Sequence, residues 1–173
     1  MGEYEDDERL LELLEELESF EAVSWESAAM QEVAVEKLVT EEEANSEVGQ
    51  AVARLLRSEL RYYRKMEELA QRPSLPGEEL GRLNAARKSA LLESVEALTS
   101  ALPHSLTARA VREVGLAYCY YLLGHLSRTI AHLERALEAG LSQPLVHLVL
   151  GYVRYQHTLQ THAPLDQLDE QGR

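Results

Sequence analysis

The clearest helical pattern of the sequence lies in Leu116–Ala139, LAYCYYLLGHLSRTIAHLERALEA. Apolar side chains recur every three or four residues on both sides of Gly124, which is the spacing of an amphipathic helix. The stretch therefore predicts two helices, 107–123 and 126–139, that are joined by a tight turn at the glycine. Two helices of this length connected by so short a turn must lie antiparallel and pack on each other.

The residues on either side of this hairpin predict where the neighbouring helices begin and end. Ser105 or Thr107 can cap the first helix of the hairpin. Gly140 suits the left-handed position that ends a helix, and Pro144 is expected to open a last helix that reaches about Thr161.

The hairpin resembles the repeating unit of the tetratricopeptide repeat (TPR) family. That unit has small residues where its two helices cross, an aromatic residue after the first small residue, and a glycine at the turn. The matching positions are Leu116, Ala117, Tyr120, Gly124, Leu126, Leu133, Ala136 and Leu137. The step from Leu116-Ala117 to Leu150-Gly151 equals the length of this unit. The resemblance covers about 110–162; a generic pair of helices that shares this spacing is the alternative.

Composition and pattern predict an all-α protein of about seven antiparallel helices. The 173 residues are rich in Leu, Glu, Ala and Arg and contain no β-branched runs. No apolar run is long enough to cross a membrane, the N-terminus does not have the pattern of a signal peptide, and the single cysteine, Cys119, cannot form a disulfide within the chain. A cytoplasmic protein is therefore expected.

The N-terminal half is predicted to hold three helices, 6–21, 25–39 and one that begins at the capping box of Thr40 and Glu43 and ends near Gln71. A linker with Pro73 and Pro76 precedes a further helix, 78–102. The expected organisation is a segment 1–72, a segment 77–162 that packs with it as one compact unit, and a flexible tail 163–173.

The net charge of −13 is concentrated at one end of the chain. Residues 1–47 contain seventeen acidic residues against two basic ones, a net charge of −15. An acidic protein of this kind disfavours non-specific binding to nucleic acid. The asymmetry predicts that the N-terminal segment faces something basic, either a partner or the rest of the chain.

Two tyrosine pairs, separated by one unit length, are the candidate binding surface. In a TPR-like stack, the first helix of each hairpin lines a concave surface, and tyrosine offers both a large ring and a hydroxyl to a peptide or helix. The resemblance places seven candidate partner-binding residues there: Val114, Tyr118, Tyr121, Leu122, Leu148, Tyr152 and Tyr155. The alternative is that one or both pairs pack against the protein's own N-terminal helices.

A row of basic residues is the second candidate surface. Arg54, Arg57, Arg61 and Arg64 lie three or four residues apart, which places them on one face of the long helix. They form a possible docking face for nucleic acid or an acidic partner. The alternative is a solvated face that pairs with the acidic residues of the chain itself.

The sequence contains no pattern that supports catalysis, a cofactor or a metal site. His125 and His132 are two helical turns apart, too far to share one metal ion, and there is no phosphate-binding loop or nucleophile motif. We therefore expect a non-catalytic adaptor or scaffold that binds another protein or a second copy of the chain, the latter through its leucine-rich first helix. A nucleic-acid-associated regulatory protein is the alternative.

Overall fold

The computed structural model describes residues 2–19, 46–74, 77–141 and 144–171, and every regular element in these ranges is an α-helix. There are six helices in the described ranges: α1 (Gly2–Ser19), α2 (Glu47–Ala70), α3 (Gly77–Ser100), α4 (Leu106–Leu122), α5 (Leu126–Glu138) and α6 (Pro144–Gln171). The predicted all-α class is confirmed. The predicted helix 25–39 lies outside the described residues.

The hairpin α4–α5 forms as its sequence predicts. The Ser105 side chain accepts a hydrogen bond from the backbone N–H of Ala108 at 3.0 Å and so caps α4. Gly124 and Gly140 have φ angles of 82° and 95°, a conformation that glycine adopts without strain. Both glycines terminate helices, which fixes the hairpin at its two ends.

Two predicted helix starts are wrong. Helix α1 begins at Gly2, four residues before the predicted start. Helix α2 begins at Glu47, because Ser46 is extended (ψ 168°) and its side chain accepts a hydrogen bond from the N–H of Gly49 at 3.3 Å. The predicted capping box of Thr40 and Glu43 lies outside the described residues.

Helix α6 continues to Gln171, ten residues beyond its predicted end. Residues 163–171 of the predicted tail are therefore helical in the structure.

Helix α4 lies at the centre of the hydrophobic core. It packs against α1, α2, α3 and α5, and each helix from α2 to α5 also packs against the next helix in the chain. The leucine stripe of α1, formed by Leu10, Leu13 and Leu14, is fully buried in this core. Because these leucines are already used inside the protomer, they cannot form the self-association surface that the sequence suggested for the first helix.

Side chains also hold the loop between α3 and α4 against the N-terminal helices. Asp7 of α1 accepts a hydrogen bond from the Ser105 hydroxyl at 2.7 Å, and Glu47 of α2 accepts one from the backbone N–H of Leu102 at 2.7 Å. These two hydrogen bonds fix the start of α4 relative to α1 and α2. Helices α5 and α6 follow α4 in the chain.

Candidate functional site

The first tyrosine pair does not lie on an open surface. Tyr118 is 9% exposed, and Val114 is also buried, because α4 is covered by helices on several sides. Tyr121 and Leu122, at the end of α4, are half-buried, and Tyr121 takes part in an interaction within the protein. The half of the predicted surface on α4 is therefore largely occupied by the protein's own packing.

The second tyrosine pair lies in a different setting. Tyr152 and Tyr155 on α6 are 56% and 62% exposed, and Leu159 beside them is 52% exposed. Spacings of three and four residues place these side chains on one face of the helix. The opposite face of α6 packs on α5 through the buried Leu150 and Val153. The side chain of Leu148, the remaining predicted residue, lies outside what the structure describes.

Gly151 belongs to this exposed face of α6, which we call the tyrosine face and define by Gly151, Tyr152, Tyr155 and Leu159. A Cβ atom added to Gly151 would meet nothing within 4 Å among the described residues. In the sequence, Gly151 was notable only as the end of the step from Leu116-Ala117, and Leu159 was not predicted to belong to the surface. Tyr155 and Leu159 follow Gly151 by four and eight residues, and this helical spacing was the signal that could have identified the face.

The surroundings of the tyrosine face are nearly neutral. The sequence contains no Asp or Glu between Glu138 and Asp166. Arg154, on the same helix, forms an ion pair with Glu134 of α5 at 2.5 Å. The Gln156 side chain donates a hydrogen bond to the Tyr152 hydroxyl at 3.1 Å. Such a surface offers a partner aromatic area and hydroxyl groups rather than charge.

The four arginines of the predicted docking face, Arg54, Arg57, Arg61 and Arg64, are all exposed along α2. Three of them, Arg54, Arg57 and Arg64, already take part in interactions within the protein. A nucleic acid or acidic partner would have to compete with those interactions for most of this face.

Arg61 borders a groove of about 450 Å³ between α2 and α3. The basic residues of the groove have acidic neighbours, since Arg72 pairs with Glu79 at 2.7 Å and Lys65 with Glu68 at 3.4 Å. Exposed pairs of this kind contribute little to stability, but they reduce the positive charge that the groove presents to a ligand.

A buried ion pair lies beneath this groove. The guanidinium of Arg87 on α3 donates to the fully buried carboxylate of Glu59 on α2, and its carbon lies 4.1 Å from the centre of the Tyr62 ring. Burial acts to lower the pKa of Arg87, but attraction and hydrogen bonding to Glu59 raise it above its usual range. Arg87 therefore stays charged and acts as the permanent counter-ion of Glu59.

A second buried polar cluster joins the helices of the hairpin. Glu113 of α4 lies 2.5 Å from the Nδ1 atom of His132 on α5, and the Tyr120 ring stacks on the His132 ring with 5.4 Å between centres. Arg112 approaches the same carboxylate at 3.4 Å. The spacing of His132 from His125 had suggested only a test for a metal ligand; Glu113, the one acidic residue of α4, was the signal for the structural partner of His132.

The lone cysteine is buried between these elements. Burial, together with the negative charge of Glu59, raises the pKa of the Cys119 thiol to about 12 from an ordinary value of 9.0. The side chain is therefore a neutral thiol at physiological pH and has the environment of a core residue rather than a nucleophile.

Comparison with known proteins gives no match: no family profile fits the chain, and no curated protein or solved structure is significantly similar to it. In the described ranges, no helix combines the length and the apolar character that spanning a membrane requires. Within the same ranges, no three His, Cys, Asp or Glu side chains converge as metal ligands would.

Proposed function

We propose that the protein is a non-catalytic protein-interaction module, a TPR-like adaptor or scaffold, that binds a protein segment on the tyrosine face of α6. The observation that carries the proposal is the exposure of Tyr152, Tyr155 and Leu159 on one face of a helix whose other face is packed on α5. Large apolar side chains grouped in this way are typical of a binding surface.

The residue types fit a protein ligand. A tyrosine ring buries much area on binding and loses little conformational entropy, and its hydroxyl can bond to a partner's backbone. The near-neutral surroundings favour a partner helix or peptide that is held by apolar contact rather than by charge.

The helix order supports a TPR-like arrangement. Helices α4 and α5 form a tight hairpin, and α6 begins after a short connection and packs on α5, as the first helix of a following unit would do. Ala117 and Gly151, which are one unit length apart, are the small residues of these two units.

The test is site-specific photo-crosslinking of the full chain in its native host cells. A benzophenone amino acid replaces Tyr155, and the matched control carries it at Lys88, which is exposed on α3. We expect one discrete protein adduct from position 155 that position 88 does not give. If position 155 gives no adduct beyond those of position 88, the tyrosine face is not a binding surface and the proposal is wrong.

A further inference from the structure

We infer that the partner on the tyrosine face is a second copy of this chain, and that two α6 helices cross at Gly151 about a two-fold axis. The inference rests on the proposed function, since it takes the tyrosine face as the interaction surface and identifies what occupies it. Three observations carry it: an unexplained glycine, the distribution of charge, and the self-complementary shape of the face.

Gly151 has no structural reason within the described part of the protomer to be a glycine. It lies inside a regular helix, it does not have the positive φ of Gly124 or Gly140, and a Cβ atom there would meet nothing within 4 Å among the described residues. Gly115 on α4 is different, because a Cβ atom there would lie 3.1 Å from the side chain of Leu98. Glycine weakens a helix interior, and Gly81 of α3 is equally open but has no exposed large apolar side chain beside it on its helix. At Gly151 the exposed Tyr152 and Tyr155 lie beside the glycine, and this combination indicates a close approach by a backbone from another molecule.

The distribution of charge indicates that a second copy would bind at this face rather than elsewhere on the surface. Two molecules that each carry a net charge of −13 repel one another unless they meet where acidic residues are missing. The segment between Glu138 and Asp166 is such a place, since it contains no acidic residue. The acidic helix α1 lies elsewhere in the fold, against α2 and α4.

The same charges argue against an acidic partner of another kind. Arg154 is the only Lys or Arg between Glu138 and Asp166, and it is already paired with Glu134. A partner with an acidic docking segment would therefore have to displace Glu134 to reach the one arginine on this part of α6.

The tyrosine face is also complementary to itself. Gly151 leaves a gap in the helix surface, and Tyr152 and Tyr155 project beside that gap. A two-fold axis through the crossing places each copy's tyrosines next to the other copy's glycine, so one short patch supplies both the gap and the groups that fill it.

Disulfide trapping tests the crossing directly. In the full chain, Gly151→Cys places two thiols at the proposed axis, where their Cα atoms come within the range of roughly 4.4–6.8 Å that a disulfide needs. The matched control is Gly81→Cys, at another helical glycine with nothing within 4 Å of its Cβ position. The native Cys119 is buried and does not compete. We expect mild oxidation with diamide to convert Gly151→Cys to a covalent dimer, with twice the chain mass of 19.5 kDa, at least tenfold faster than Gly81→Cys.

Sedimentation of the protein without the added cysteine provides the second measurement. We expect a concentration-dependent dimer whose dissociation constant rises at least tenfold in the double variant Tyr152→Ser/Tyr155→Ser. Equal trapping of Gly151→Cys and Gly81→Cys, together with a monomer at all concentrations, would overturn the inference. If position 155 then still photo-crosslinks to a different protein, the proposed function stands and only the identity of the partner is wrong; if it gives no adduct, both are wrong.

Discussion

The guanidinium of Arg87 donates hydrogen bonds to both oxygens of the Glu59 carboxylate: to one from Nη2 at 2.9 Å and Nε at 3.2 Å, and to the other from Nε at 3.3 Å. Glu59 is fully buried, and the Tyr62 ring covers the guanidinium on one face. The pair joins α2 to α3 close to α4, since the charge of Glu59 also acts on the Cys119 thiol. One polar contact therefore joins two helices and acts electrostatically on a group of a third.

The Arg87→Met variant should be strongly destabilised. It removes the guanidinium that neutralises the Glu59 carboxylate, and breaking a buried ion pair from one side costs about 3–5 kcal/mol because a charge remains in the core. The measurement is the free energy of unfolding from urea titration, followed by circular dichroism.

The double variant Glu59→Met/Arg87→Met is the matched control. When both charges are replaced by apolar side chains of similar length, no buried charge is left, and such replacements are often neutral or stabilising. We expect its free energy of unfolding to lie much closer to that of the native protein than to that of Arg87→Met. If the double variant is as unstable as the single one, packing volume rather than charge controls this site.

The Cys119 thiol should be unreactive in the folded protein. Burial and the charge of Glu59 raise its pKa from 9.0 to about 12, so the reactive thiolate is rare near pH 8. We expect labelling with Ellman's reagent to be at least a hundredfold faster in urea than in buffer. Fast labelling of the folded protein would show that the thiol is accessible and would contradict the buried position.

The same pKa shift gives a pH dependence of defined sign. Below about pH 9 the thiol is protonated in both states and contributes no slope. Between about pH 9 and pH 12 only the unfolded chain loses the proton, so stability should fall as pH rises, by at most ~1.4 kcal/mol per pH unit. The Cys119→Ala variant should lose stability less steeply over this range, and the difference between the two urea-unfolding profiles measures the contribution.

The sequence was sufficient to predict the helix ends that depend only on neighbouring residues. Ser105 acts through its side chain on the adjacent turn, and Gly124 and Gly140 act through their own backbone. The ends of α4 and α5 fall within one residue of the prediction. The sequence was insufficient to predict a helix start where two possible capping residues compete, as they do before α2. Thr40 and Ser46 are both acceptable caps, and nothing local to either residue decides between them.

Exposure could not be predicted, because it depends on which helices meet. Tyr118 and Tyr152 are separated by the length of the predicted repeat unit, yet one is 9% and the other 56% exposed. The difference arises because α4 is packed against four helices and α6 packs on α5. The pattern thus predicted tyrosines of equal exposure on α4 and α6, while only the packing separates the open pair from the covered one.

The Gly151→Ala variant should have two opposite effects. In dilute solution, it should raise the free energy of unfolding by about 0.5–1 kcal/mol, because alanine favours a helix interior and the methyl group meets no neighbour. At high protein concentration, association adds stability to the native protein, and the methyl group at the crossing should reduce that gain. Thermal unfolding at several protein concentrations measures both effects.

The Gly81→Ala variant is the control for this experiment. It has the same open environment on α3 and should gain the same stability in dilute solution. Its further stabilisation with concentration should equal that of the native protein, since α3 takes no part in the proposed contact. A concentration dependence that is the same in both variants would place the self-contact somewhere other than Gly151.

The basic face of α2 should not retain nucleic acid at physiological salt. The net charge of −13 repels phosphates, and Arg54, Arg57 and Arg64 already take part in interactions within the protein. We expect a fluorescent DNA or RNA oligonucleotide to show no anisotropy change with the native protein at physiological salt. Binding that appears only at low salt and disappears steeply as salt is added would be the non-specific electrostatic kind. Binding at physiological salt that Arg57→Glu/Arg61→Glu abolishes, and the control Lys88→Glu/Arg109→Glu does not, would instead establish the nucleic-acid function and displace the tyrosine face as the principal site.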